Sequence, residues 1–107
     1  MAYARLGDHR RAIADYDAAL ALTPDDGYAL YNRGLAHAAL GQLDAAIADY
    51  DAAIERMPRS ASARGARGQA HAKRGDYQRA IADYDAAVQI NPKISRFFTV
   101  GAMHTTT

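Results

Sequence analysis

Small apolar residues and aspartates alternate in a pattern that returns three times. AIADYDAA occupies residues 12–19, 46–53 and 80–87, each copy 34 residues after the last and each followed by an aliphatic residue, Leu20, Ile54 or Val88. Within a copy the apolar positions recur at spacings of three, four and seven. Ala12, Tyr16 and Ala19, with Ile13 and Leu20, therefore share one stripe of an α-helix, and Asp15 and Asp17 lie off it. A fixed period of this length marks a stack of identical supersecondary units, whose function resides in the surface they present rather than in a catalytic pocket.

The remaining signals keep the same period. Gly7, Gly41 and Gly75 are 34 apart, as are Pro24, Pro58 and Pro92, and Gly34 and Gly68. An alanine-rich segment precedes each of the first set of glycines and another runs from it to the proline, so the unit reads helix, glycine turn, helix, proline stop. Glycine ends the first helix in the left-handed conformation, and proline cannot continue the second. Asp8 and Asp76 follow the turn glycine, where a carboxylate caps the next helix; Gln42, at the same place in the middle unit, is expected to cap less well. The mid-helix glycines Gly34 and Gly68, with Ala12, Ala46 and Ala80, predict close approach of two helix axes, so that a bulky residue at either glycine would splay the pair.

These residues closely resemble the tetratricopeptide repeat family over Met1 to about Pro92. The chain carries that family's glycine in the first helix (Gly34, Gly68), the aromatic or histidine after it (Tyr3, His37, His71), the turn glycine, the alanine, tyrosine and alanine of the second helix, and the closing proline. The resemblance implies an all-α fold, a right-handed superhelical stack of helix-turn-helix repeats. It gives about two and a half repeats: a truncated one over 1–26, a complete one over 27–60 and a near-complete one over 61–92. Residues 93–107 remain as a tail or capping helix.

Departures from the family pattern carry information of their own. The usual leucine before the helix glycine is Arg33 or Arg67, and Arg64 stands where the middle repeat has Leu30. A buried arginine needs a partner. Arg33 and Asp49 are 16 residues apart, as are Arg67 and Asp83, so one bridge between the two helices of each repeat is expected twice. The alternative is that both ends reach to solvent, where the pair contributes well under about 1 kcal/mol.

Both ends of the chain break the period. The first repeat keeps only Met1 to Leu6 of its first helix, so Ile13, Tyr16 and Leu20 on the following helix are expected to lack part of their cover. After Pro92 the next repeat is not recognisable. Ile94, Phe97, Phe98 and Val100 allow a short amphipathic cap over Ile94–Val100, and an extended tail is the other reading.

Composition narrows the classes further. The absence of cysteine rules out disulfides and thiolate metal sites. No apolar run is long enough for a membrane helix and the N-terminus does not read as a signal peptide, which leaves the cytoplasm as the default compartment. The net charge is +1, yet Arg59, Arg64, Arg67, Lys73, Arg74 and Arg79 crowd one span against the single acid Asp76. With Tyr77 the single aromatic in that span, a solvated helix face is the preferred reading over nucleic-acid binding. His37 and His71 sit at one phase of helices about 8–10 Å apart, which favours packing over shared metal ligation. An Asp-Tyr-Asp repeated in every unit argues against an acid/base pair, and no nucleophile elbow or phosphate loop appears, so neither an enzyme nor a cofactor is expected.

Binding by the surface remains. By the resemblance, the first helices of the repeats line a groove for an extended peptide or partner helix. Here that groove would be Tyr28, Tyr31, Asn32 and Leu35, then Ser62, Ala66, Gln69 and Lys73; Tyr28 and Tyr31 read equally well as packing between repeats. The carboxylate clamp of the family's chaperone-binding members is mostly missing: Asn32 matches, but Ser62 and Ala66 stand where basic residues are wanted. The alternative function is self-association into a homo-oligomer, with Ile13, Tyr16 and Leu20 of one chain meeting Phe97 and Phe98 of another.

Overall fold

In a computed structural model the chain is described over residues 2–93, with side chains from residue 7 onward. Among the described residues there are five helices and no strand: α1 (Ala2–Leu22), α2 (Gly27–Ala39), α3 (Leu43–Arg56), α4 (Ala61–Lys73) and α5 (Tyr77–Ile90). They fall into two compact units that divide between Pro58 and Arg59, α1 to α3 in the first and α4 and α5 in the second.

The period explains where α2 and α4 stop. Gly41 and Gly75 take φ of 77° and 87°, the left-handed conformation that a side chain would strain. Around each, the chain folds back on the helix in the same way. The Gln42 N–H donates to the His37 carbonyl and the Gly41 N–H to Ala38, both at 2.9 Å; Asp76 N–H donates to His71 at 2.9 Å and Gly75 N–H to Ala72 at 3.0 Å. This is a Schellman closure, which satisfies carbonyls that the helix end would otherwise leave open. At the other ends, Asp26, Ser60 and Asp76 accept from the N–H groups of Ala29, Ala63 and Arg79 at 3.2, 3.1 and 3.3 Å, while Gln42 makes no side-chain cap. The expected weakness of Gln42 is thus observed, and the caps at Asp26 and Ser60 are additional.

The first copy departs from expectation. The sequence places a turn at Gly7 and a cap at Asp8, but α1 runs unbroken through both. Glycine inside a helix costs about 1 kcal/mol. A turn at Gly7 would interrupt the run of helical hydrogen bonds and leave open groups on both sides of the break, which costs more than the glycine does. Continuing the helix is therefore the cheaper solution.

Packing within each unit follows the small residues. In the first, Leu20, Ala29, Leu30 and Ala53 form a buried cluster against which Tyr16, Tyr31, Ala52 and Met57 pack. Leu20, expected to be uncovered, is buried here because α2 supplies its cover. In the second unit Ala80 and Tyr84 are buried, with Ala72 and Ile81 against them. The mid-helix glycines permit the contact: a Cβ on Gly34 would stand 2.6 Å from Cε1 of Tyr50, and one on Gly68 would stand 2.8 Å from Cδ1 of Tyr84. Tyr50 is 1% exposed. Burial first, then the neighbouring Tyr31 and Asp49, push its phenol well above the ordinary range, and burial with Asp83 raises Tyr84 likewise.

Candidate interaction surface

Helix α2 follows the N-cap Asp26 and turns one face inward, burying Ala29, Leu30, Gly34 and Ala36. The opposite face carries Tyr28, Asn32 and Leu35, spaced by four and three residues, so they stand in one row. Tyr28 is 72% exposed and Leu35 40%, both large for apolar side chains on a short helix, and Asn32 is half-buried between them. Tyr31 lies off this row. Its ring meets that of Tyr50 with centroids 6.2 Å apart and planes tilted by 44°, and it packs on the buried cluster. The two tyrosines therefore divide: Tyr31 is largely a packing residue and Tyr28 presents itself to solvent.

At the same phase of α4 the row is polar. Ser62, Gln69 and Lys73 are exposed, whereas Ala66 is buried at 8% and offers almost no surface. Leu22 and Tyr77, exposed at 87% and 57%, are further apolar surface that no periodic signal marks, since both sit beside helix ends. Ile13 and Tyr16 are half-buried. Phe97, Phe98 and the proposed cap at Ile94–Val100 lie outside the described residues.

The expected bridges are present in both units. Arg33 Nε donates to Oδ2 of Asp49 at 2.9 Å and Nη2 to Oδ1 at 2.7 Å, a bidentate grip; Arg67 holds Asp83 at the same two distances. Arg33 also reaches Oδ1 of Asp17 at 2.9 Å, so one guanidinium joins α1, α2 and α3. Asp17 was absent from the sequence expectation, although its distance of 16 residues before Arg33 repeats the spacing that identified Asp49. Its hydrogen bonds to Asp49 outweigh burial and, with Asp17, hold the Arg33 guanidinium above its ordinary range. Arginine at this position is thus a structural element, unavailable to a ligand.

The histidines lean on the same carboxylates. His37 Nε2 lies 3.7 Å from Asp49 Oδ2, with Nδ1 2.7 Å from Gln42 Oε1; His71 Nε2 lies 3.8 Å from Asp83 Oδ2. His71 Nδ1 is buried without a hydrogen-bond partner among the described residues. Over the same residues, no three histidine or carboxylate side chains converge into a metal-binding group, and no helix is long and apolar enough to cross a membrane.

Comparison with known proteins agrees with this geometry. The sequence model of the tetratricopeptide repeat family matches residues 1–58 and again 39–93. The crystal structure of MamA has a similar fold, with a TM-score of 0.76 and 26% sequence identity over 83% of this chain and 52% of that one. The chain thus spans about half the length of MamA. No curated protein matches it.

Proposed function

Because the chain belongs to the tetratricopeptide repeat family, a family of repeat scaffolds for protein–protein interaction, we propose that it binds an extended peptide or partner helix on the outward row of α2. The observation that carries this reading is the exposure of Tyr28 and Leu35 on one face of a helix whose opposite face is fully engaged. An aromatic and a branched aliphatic side chain flanking an amide supply the anchors and the orienting hydrogen bonds that peptide sites require. Ser62, Gln69 and Lys73 on α4 offer polar contacts of their own to a partner of this class, and the buried Ala66 offers none. Tyr31, packed against Tyr50 and the buried cluster, is left out of the proposed row.

The test uses the chain's own internal control. Tyr28→Ser with Leu35→Gln installs the residues that α4 carries at those phases, so the fold should accept them. A displayed random-peptide library is panned on the chain and the selected peptides are titrated against the double variant. Peptides that lose affinity for the variant support the site; selection of none, or equal affinity for both proteins, sinks it.

A further inference from the structure

The residue after the turn glycine does a different job in each unit. In the first, the Gln42 side chain turns back to α2: its Oε1 lies 2.7 Å from Nδ1 of His37, and no side-chain bond caps α3. An amide oxygen only accepts, so the Nδ1–H of the ring donates to it. In the second, Asp76 turns forward to α5. Its Oδ1 accepts from the Arg79 N–H at 3.3 Å and its Oδ2 lies 3.4 Å from Arg79 Nε, while Nδ1 of His71 stays buried without a hydrogen-bond partner among the described residues.

The surroundings of the two turns do not explain the difference. The N–H of Gln42 and that of Asp76 each donate to the carbonyl of the histidine five residues before, both at 2.9 Å. His37 Nε2 lies 3.7 Å from Asp49, and His71 Nε2 3.8 Å from Asp83, with each carboxylate gripped by an arginine at the same two distances. What differs is the side chain itself. Glutamine is one methylene longer and reaches the ring; its single acceptor oxygen is then withdrawn from the helix that follows. Aspartate is the better N-cap, and both of its oxygens are at Arg79.

We propose that this position is a selector, which fastens either the histidine ending the first helix or the free amide opening the second, and so decides which side of the turn opens first. In the first unit the end of α2 is tied and the first turn of α3 is loose. In the second the first turn of α5 is tied, and the last turn of α4, with the exposed Lys73, is the part free to adjust. The inference concerns the turns alone and does not rest on the proposed site of α2.

The test exchanges the two residues in the full chain and reads each turn by nuclear magnetic resonance. In the unaltered protein the Nδ1–H of His37 should appear as a downfield, hydrogen-bonded signal and that of His71 should not. Relative to intrinsic rates, the Arg79 amide should exchange more slowly than that of Ala45, and the Leu40 amide more slowly than that of Arg74. Asp76→Gln should give His71 the hydrogen-bonded ring signal and speed exchange of the Arg79 amide by about fivefold, whereas Gln42→Asp should remove the His37 signal and slow the Ala45 amide by a similar factor. Asp76→Asn, which keeps the shorter side chain, should leave the cap in place and the His71 ring unchanged. A His71 ring indifferent to Asp76→Gln, Arg79 and Ala45 amides that shift in the same direction in the two variants, or Asp76→Asn behaving as Asp76→Gln would overturn the proposal. So would loss of the fold in either exchange, since each residue already stands at this position in the other unit.

Discussion

Removing Asp49 should cost the chain a large share of its stability, and removing Arg33 with it should cost little more. The Asp49 side chain is 8% exposed and that of Arg33 24%, and two hydrogen bonds of 2.9 and 2.7 Å join them. Asp49→Ala leaves a three-quarters-buried guanidinium holding only Asp17, whose side chain is 57% exposed. Breaking a buried pair from one side typically costs 3–5 kcal/mol, and the remaining bond to Asp17 puts this case at the lower end, about 3 kcal/mol. Arg33→Leu, which strands the buried Asp49 carboxylate, should cost about as much. The double variant removes both charges and places leucine where the repeat family usually has it, so it should cost about 3 kcal/mol rather than the sum, a coupling of about 3 kcal/mol. Against the 5–15 kcal/mol typical of a whole small domain, each loss is readily seen. Urea unfolding followed by circular dichroism, with the slopes compared across the four proteins, measures the cycle. If the two single costs add to the double within about 0.5 kcal/mol, the pair is not coupled and the buried bridge is the wrong account. Asp17→Ala serves as the exposed control, at about 0.5 kcal/mol.

Three further outcomes follow from the packing. Gly34→Ala should destabilise by about 2 kcal/mol, because the new Cβ collides with a ring that has no room to retreat, whereas Gly7→Ala, with nothing within 4 Å, should stabilise α1 by up to about 1 kcal/mol; thermal melts of the two variants should shift in opposite directions. Asp76→Ala should lower stability by about 1 kcal/mol through loss of the cap on Arg79 N–H, and Gln42→Ala by clearly less; equal losses would remove the capping explanation. Tyr50 and Tyr84 have folded-state phenol values raised above the unfolded one, so their contribution is complete below about pH 10 and is lost progressively as the pH rises above it. An ultraviolet titration of the folded chain should show the ionisation of these two delayed above the ordinary phenol range, and Tyr50→Phe should flatten the alkaline decline in melting temperature.

The repeating residues made much of this legible in advance. Gly41 and Gly75 end their helices because a full helix precedes each, and Gly34 and Gly68 admit a tyrosine ring because they fall opposite the same octapeptide. The Arg33–Asp49 bridge could be anticipated because an arginine in a leucine position must be compensated. Gly7 misled because its local sequence resembles the other turns, whereas its backbone continues the helix and, among the described residues, Gly41 and Gly75 alone take a positive φ. Leu20 was covered by α2, a partner that its own repeat does not contain. Ala66 shares the phase of Asn32, but its small side chain stays within the buried surface of its unit, so phase alone did not predict exposure. Asp17 was visible in the spacing, yet its role depends on the following repeat rather than on its own.

Arg33 is held from both sides, by Asp17 of one octapeptide and Asp49 of the next, and this has a consequence for how such a chain can grow. At Arg33 the first aspartate of one octapeptide, Asp49, reaches back within its repeat, and the second aspartate of the preceding one, Asp17, reaches forward across the boundary. A tandem duplication of any 34-residue cassette that contains the arginine and the octapeptide would carry both attachments with it. The copied segment would arrive with an acceptor for its successor and an arginine for its predecessor, without a compensating mutation elsewhere. An engineer splicing such a chain at this boundary would therefore find the joint already supplied by the sequence on either side of the cut.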